Sequence, residues 1–319
     1  MRRLRFVTAA FSAGVMVCGI STPLAQDYPS KAIRMVAQNP GGSGDTAARL
    51  IAPAISATLG QPVIVDNRTT IGAMETAAKA PPDGYTILIV GSSFWVATLF
   101  QKNLPYDPVR DFTPITMTHI QPNVLAAHSS LPVKSVSELI ALAKARPGDL
   151  NFSEGGPGST GQIAGLLFNS MAGIKTVPIS YKGTAPTVTA ILTGEVQLTF
   201  APPVVVFPHI KSGRLRGLAV TSAEPSALVP GLPAVAATVP GYLSVTAFST
   251  WAPAKTPAAI VNRLNQEIGR YLSTPEAKEK FFSAGTETRP GTPDQLSNAM
   301  KSELSRLGKV LKDAGIHPK

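Results

Sequence analysis

The sequence predicts an α/β protein of two lobes with a ligand cleft between them. Three observations carry this expectation. Short apolar runs alternate with stretches of helical periodicity along most of the chain. Two loops rich in glycine and small polar residues, 39–45 and 154–161, each follow a strand-like run and precede a helix-like one. The chain has 319 residues, enough for two cores once a leader is set aside.

The elements are predicted in order. Residues 33–37 read as a strand, and 47–59 as a helix that Ser43 or Asp45 can cap. Residues 63–66 are a second strand, 73–80 a short helix and 81–84 a Pro-Pro-Asp-Gly turn. The nearly all-apolar run 85–90 is a buried parallel strand leading into Gly91, Ser92 and Ser93. Residues 101–114 are irregular, with strands at 112–117 and 124–127. Val136, Leu139, Ile140 and Ala143 share one face of a helix at 135–145, which Ser135 can cap. A second set follows: strand 150–153, helix 163–172, strand 176–181, helix 184–192, strand 196–200, a helix through Ile210 and strand 218–220. The Pro- and Ala-rich segment 223–243 leads back to a strand at 245–251. Helices at 257–273, 275–284 and 293–313 finish the chain, the first and last of them with core-facing stripes.

Residues 1–26 read as a secretory signal. Arg2, Arg3 and Arg5 form a basic start, 6–20 is apolar, and 21–25 is a plausible cleavage region. The apolar part is short for a membrane span. Cys18 is the only cysteine, so the mature protein has no disulfide, thiol nucleophile or cysteine metal site. The formal charge is +10, and losing the three leader arginines leaves +7. The positive charge is scattered and aromatics are 6% of residues, which excludes the basic stripe with interleaved aromatics of a nucleic-acid binder. Diffuse positive charge suits small anions.

Catalytic patterns are missing. His119, His128, His209 and His317 lack the close spacing of a helical metal site. Pro157 replaces the first glycine of a nucleophile elbow around Ser159, and no Gly-Lys-Ser/Thr ending marks a P-loop. Glu154, Asp83, Asp107 and Asp111 read as turn or capping residues. The loop at 39–45 leaves three readings open. Gly42-x-Gly44-x-x-Ala47, with Asp66 ending the next strand, matches a dinucleotide fingerprint. The same loop can hold a carboxylate on backbone amides at a helix start. Or it is simply a tight turn.

A series of segments resembles a known family. Tyr28-Pro29-Ser30-Lys31 opens the series. Pro40-Gly41-Gly42-x-x-Asp45-x-x-Ala48-Arg49 follows, then Leu59-Gly60-Gln61-Pro62-Val63 and Asn67-Arg68. Pro82-Asp83-Gly84-Tyr85-Thr86, Leu104-Pro105-Tyr106-Asp107-Pro108, Tyr181-Lys182-Gly183-Thr184-Ala185-Pro186 and 208–216 complete it. In this order they resemble the substrate-binding proteins of the tripartite tricarboxylate transporter family, the Bug receptors.

The resemblance implies a periplasmic-binding-protein (Venus-flytrap) fold, each lobe a mostly parallel sheet flanked by helices. Lobe one would be 27–125 with 246–319, and lobe two 126–245. It implies a monomeric periplasmic receptor, not an enzyme and without a cofactor. It would bind a di- or tricarboxylate, an amino acid or an aromatic acid, and pass it to membrane transporter subunits or a sensor. The carboxylate would be held by Pro40, Gly41, Gly42, Ser43 and Asp45, and by Gly155, Gly156, Ser159 and Thr160. Ser92, Ser93, Tyr181, Gly183, Thr184, Ala201 and Pro202 would line the rest. Departures stand at 69–72, which is shorter and poorer in glycine than the family pattern. Gln162 and Leu166 replace a usual His and Glu, and Gln197 a common Asp.

Overall fold

The computed structural model describes residues 28–38, 40–156, 158–181 and 184–313. The leader expected at 1–26 lies outside them.

The chain opens with β1 (Ile33–Gln38), α1 (Ser43–Leu59), β2 (Val63–Arg68), α2 (Thr70–Ala78) and β3 (Thr86–Gly91). β1 pairs in parallel with β2 on one side and β3 on the other. A strand flanked on both edges and covered on both faces is almost wholly apolar, as β1 and β3 are. α1 sets Ala48, Ile51, Ala52 and Ile55 against Ile33 and Met35, the three-and-four spacing of one helix face. Gly60, at φ 70°, ends it. The short α3 (Ser93–Val96) and β4 (Phe112–Pro122) follow. β4 runs five residues beyond the expected 112–117. Gln121 and Pro122 look like a turn in sequence, but pairing with a strand from the far end of the chain keeps them extended.

The second lobe comprises β5 (Val124–His128), α4 (Val136–Ala145), β6 (Asn151–Glu154), α5 (Thr160–Ala172), β7 (Val177–Ser180), α6 (Thr184–Leu192), β8 (Leu198–Ala201), α7 (Pro203–Lys211) and β9 (Leu215–Val220). The chain returns through β10 (Val245–Pro253), α8 (Ala258–Leu272), α9 (Pro275–Ser283), β11 (Glu287–Thr288) and α10 (Pro293–Asp313). Strand order is β11-β4-β10-β3-β1-β2 in one sheet and β7-β6-β8-β5-β9 in the other. Among the described residues, no helix is long and apolar enough to cross a membrane.

The sheets are mixed rather than mostly parallel. β10 is antiparallel to β3 and β4, and β5 to β8 and β9. Chain crossing explains this. β5 and β10 enter their sheets from the junction and run away from it, while β1, β3, β6 and β8 end towards it. The loops after β1, β3, β6, β7 and β8 therefore open on the same side, the carboxyl ends where such sheets bind ligands.

The junction is tied by two backbone bonds and one to a threonine hydroxyl, between three buried crossing segments. The Asn123 amide donates to Thr221 Oγ1 at 2.7 Å, Thr221 N–H to the Asn123 carbonyl at 2.9 Å, and Ser244 N–H to the Thr221 carbonyl at 2.9 Å. α10 packs Leu296, Met300 and Leu307 into the first lobe's core, and Val310 and Leu311 into the core with Phe152 and Phe200 of the second.

Candidate functional site

The loop after β1 is shaped by a carboxylate that turns away from the cap. Gly42 is the N-cap of α1 and has no side-chain cap bond. Asp45, 4% exposed, does not cap the helix as expected. It lies in the first turn and accepts from the Gly41 amide at 2.8 Å, from Asn67 Nδ2 at 2.9 Å and from Arg49 Nε at 3.0 Å. Gly41, at φ 80°, provides the left-handed turn this needs. Burial raises the Asp45 carboxyl pKa, but the Gly41, Asn67 and Arg49 donors outweigh it and hold it below the ordinary carboxylate value. With Asp45 engaged on the loop and Gly42 lacking a side chain, no side-chain cap at Gly42 takes the first-turn amides of α1 among the described residues, and a helix start of this kind suits an anion by its dipole.

The loop after β6 resembles the first in sequence but is closed. Glu154, 1% exposed, accepts from the Gly156 amide at 2.5 Å, Ser159 Oγ at 3.0 Å, Gln162 Nε2 at 3.3 Å and Ser180 Oγ. Ser159 caps α5 and takes the Gln162 amide at 3.2 Å and the Gly155 amide at 3.1 Å. Gln162 Oε1 takes the Gly158 amide at 2.9 Å. The amides of Gly155, Gly156 and Gly158 are thus satisfied within the loop. Gln162 is a loop brace, and Leu166 is buried core. Gln197 likewise has a structural task, accepting from the Asn151 amide at 3.0 Å. Thr69 caps α2, accepting from the Gly72 amide at 3.3 Å.

The other expected site residues cluster around this side. Pro40 is exposed on the first loop. Ser92 is buried at the end of β3, and Ser93 is exposed at the start of α3. Thr160 opens α5, half-buried. Tyr181 is half-buried, and its hydroxyl donates to Glu195 at 2.8 Å. Burial, then Glu195, pushes the phenol up to about 12. Ala201 is buried at the end of β8 and Pro202 caps α7. Gly183 and the side chain of Thr184 lie outside the described residues. The lobes meet on both flanks: a Cβ on Gly158 would lie 3.5 Å from the Phe100 ring, and one on Gly285 3.6 Å from Val204 Cβ.

A cavity of about 190 Å³ brings Gly41 and Ser43 to Val204 of the opposite lobe. His119, Gln121 and Thr286 line it too, and sequence reasoning missed them. Their one local signal is the two-residue spacing of His119 and Gln121, which only the extended β4 puts on one face. His119 is 1% exposed, stacks on Phe248 at 4.3 Å and shares a contact with Thr118 Oγ1 through Nδ1 at 3.0 Å. Nε2 has no partner among the described residues. Burial lowers His119 to about 3, so the ring is neutral.

A pH prediction follows from that sign. The unfolded chain protonates His119 below its ordinary 6.5 while the folded chain resists down to about 3. Stability therefore falls as pH drops through that window. From pH 6 to 4.5, denaturant titration should show wild type losing roughly 2 kcal/mol relative to His119→Phe. Parallel curves for the two proteins would contradict a neutral buried ring.

The dinucleotide reading fares poorly at Asp66. Its carboxylate accepts from Arg34 Nε at 2.6 Å and from Arg68 Nε at 3.1 Å. Burial raises its pKa, but the two guanidiniums outweigh that and hold it below the usual carboxylate value. An acid held by two arginines is not poised for a ribose.

Two α/β lobes joined by crossing strands, with an uncapped helix start facing the opposite lobe, define a solute-binding receptor. The description "tripartite tricarboxylate transporter family receptor" matches residues 47–316. The chain belongs to this family. Protein BugT of Bordetella pertussis is 34% identical, over 99% of this chain and 98% of that one. The solved structure of Rpa4515 from R. palustris with adipate is 35% identical with a TM-score of 0.75, covering 92% of this chain and 100% of that one. MatC from Rhodopseudomonas palustris with bound malate is 28% identical with a TM-score of 0.68, covering 89% and 100%.

Proposed function

We propose that this chain is a periplasmic receptor that closes on a small dicarboxylate, seats one carboxylate on the amides that open α1, and presents the closed form to membrane transporter subunits. The single observation that carries this is the α1 N-terminus, whose cap Gly42 offers no side-chain acceptor and whose neighbours Gly41 and Ser43 share a cavity with Val204 of the other lobe. A fixed set of amides costs no reorganisation when the anion arrives. The lobe bounds expected at 125/126 and 245/246 move to the crossings at 123 and 244, because β5 lies wholly in the second sheet and β10 wholly in the first, and the protein acts as a monomer.

Pro40, Gly41, Gly42 and Ser43 form the head-group seat, and Asp45 holds its shape. Gly155, Gly156, Ser159 and Thr160 form the facing wall, whose rigidity Glu154 maintains. Ser92, Ser93, Tyr181, Gly183, Thr184, Ala201 and Pro202 line the remainder. Binding favours the closed state because only there do both lobes touch the acid. Release of the acid unchanged completes the cycle, as the homologous family of receptors supports.

The relative solved with adipate supports a C4–C6 dicarboxylate as the ligand class. Calorimetric titration with succinate, malate and adipate, with NAD as the contrast, tests the reading. One-to-one binding of at least one diacid and none of NAD is expected. Binding of NAD alone would overturn it.

A further inference from the structure

We propose that the junction between the lobes carries a second binding site, for an amphipathic monocarboxylate, in the cavity beneath α10. This cavity measures about 450 Å³ and shares no lining residue with the glycine loops. Its floor is Met117 and Ile120 of β4 with Val245 and Ala247 of β10. These four side chains offer an acid's hydrocarbon body a surface that excludes water.

The polar wall carries Glu224, Glu287, Arg289, Glu303 and Arg306. The carboxylates of Glu287 and Glu303 already have donors. Glu303 Oε2 accepts from Trp95 Nε1 at 2.8 Å, and Glu287 Oε1 accepts from Ser226 Oγ. Arg306 Nη1 is buried and has no partner among the described residues. Glu303 neutralises part of the Arg306 charge, but Arg306 Nη1 still lacks an acceptor, and a carboxylate would supply one in the geometry a guanidinium prefers. The three glutamates also limit the occupant: a second carboxylate would face their charge across the cavity. The site selects one acidic head and an apolar tail, unlike the cleft.

The walls come from both lobes and from the helix that joins their cores. β4 and β10 lead into the junction, Ser222 and Pro225 follow β9 of the second lobe, and α10 packs into both cores. An occupant that fits one arrangement of these walls better than the other shifts lobe closure. By reciprocity, the cleft ligand then changes affinity at the junction.

Octanoate is the probe, titrated by calorimetry into the full mature chain and three variants. Gly42→Asp blocks the cleft, Arg306→Met removes the guanidinium, and Ala299→Trp fills the cavity while keeping Arg306. Octanoate should bind wild type and Gly42→Asp equally, and at least tenfold more weakly to Arg306→Met and Ala299→Trp. Should Arg306→Met not fold, Ala299→Trp decides alone. Loss of octanoate in Gly42→Asp with retention in both cavity variants would overturn the proposal, as would no binding to wild type. Failure of the diacids to bind wild type would sink the cleft reading and leave this test standing.

Discussion

Replacing Gly42 by Asp should weaken diacid binding at least a hundredfold while leaving the melting temperature unchanged or slightly raised. Gly42 has φ −77° and ψ 166°, an extended conformation any residue adopts. It occupies the N-cap of α1 without a side-chain acceptor, the position where Asp is among the favoured residues. The new carboxylate would accept the first-turn amides and gain a few tenths of a kcal/mol of helix stability. It would take the ligand's donors and repel its charge. Losing charge-assisted bonds of roughly 1.5–3 kcal/mol, with repulsion added, passes the ~2.7 kcal/mol of a hundredfold change. Gly42→Ala brings no acceptor and should bind within about threefold of wild type, which separates charge from bulk. Calorimetry beside thermal melts reads both effects. A Gly42→Asp protein that binds as tightly as wild type would remove the head group from this loop.

Replacing Glu154 by Ala should cost about 3–5 kcal/mol of stability, because one buried carboxylate holds four donors. The Gly156 amide, the hydroxyls of Ser159 and Ser180, and the Gln162 amide group would all lose their acceptor at a site 1% exposed. At roughly 2–4 °C per kcal/mol, the melting temperature should fall by roughly 6–20 °C. Glu154→Gln keeps one acceptor oxygen and should lose only about 1–2 kcal/mol. Differential scanning calorimetry on the three proteins checks the order. An Ala variant within about 1 kcal/mol of wild type would mean that the loop closes without its carboxylate.

The two mutations treat differently two loops that look alike on paper. Both follow a strand, carry adjacent glycines and open a helix. The difference is where the acid falls. Asp45 is the third residue of its helix and reaches back to Gly41, while the cap position falls to Gly42, which has no side chain to fill it. Glu154 ends its strand and reaches forward into the loop, whose cap is then filled by Ser159. One loop is left receptive and the other is a preformed wall.

Much of the architecture was legible because it rests on local patterns. The apolar run of β3, the Ser135 cap of α4 and the stripes of α8 and α10 recur within a few residues of their expected places. The glycine loops and their placement at strand ends were legible for the same reason. The direction of Asp45 was not, because its partners Asn67 and Gly41 are chosen by tertiary packing rather than by cap propensity. Glu154 read as a turn or capping acid, but its burial depends on β7 bringing Ser180 alongside. His119 was considered only as a metal ligand. Its place in the cleft depends on the ladder that sets it opposite Phe248, 129 residues away in the chain. Val204 and Thr286 reach the same cavity from the other lobe and from the segment after α9. No spacing along the chain records such meetings.

The measurement that bears most directly on the head-group seat is the diacid titration read at individual amides. In 15N-labelled protein, saturating adipate should shift the amides of Ser43, Gly44 and Asp45 most, and leave Gly155, Gly156 and Gly158, already bonded within their loop, with smaller changes. Adipate that binds while those three glycines move and the start of α1 stays still would contradict the account.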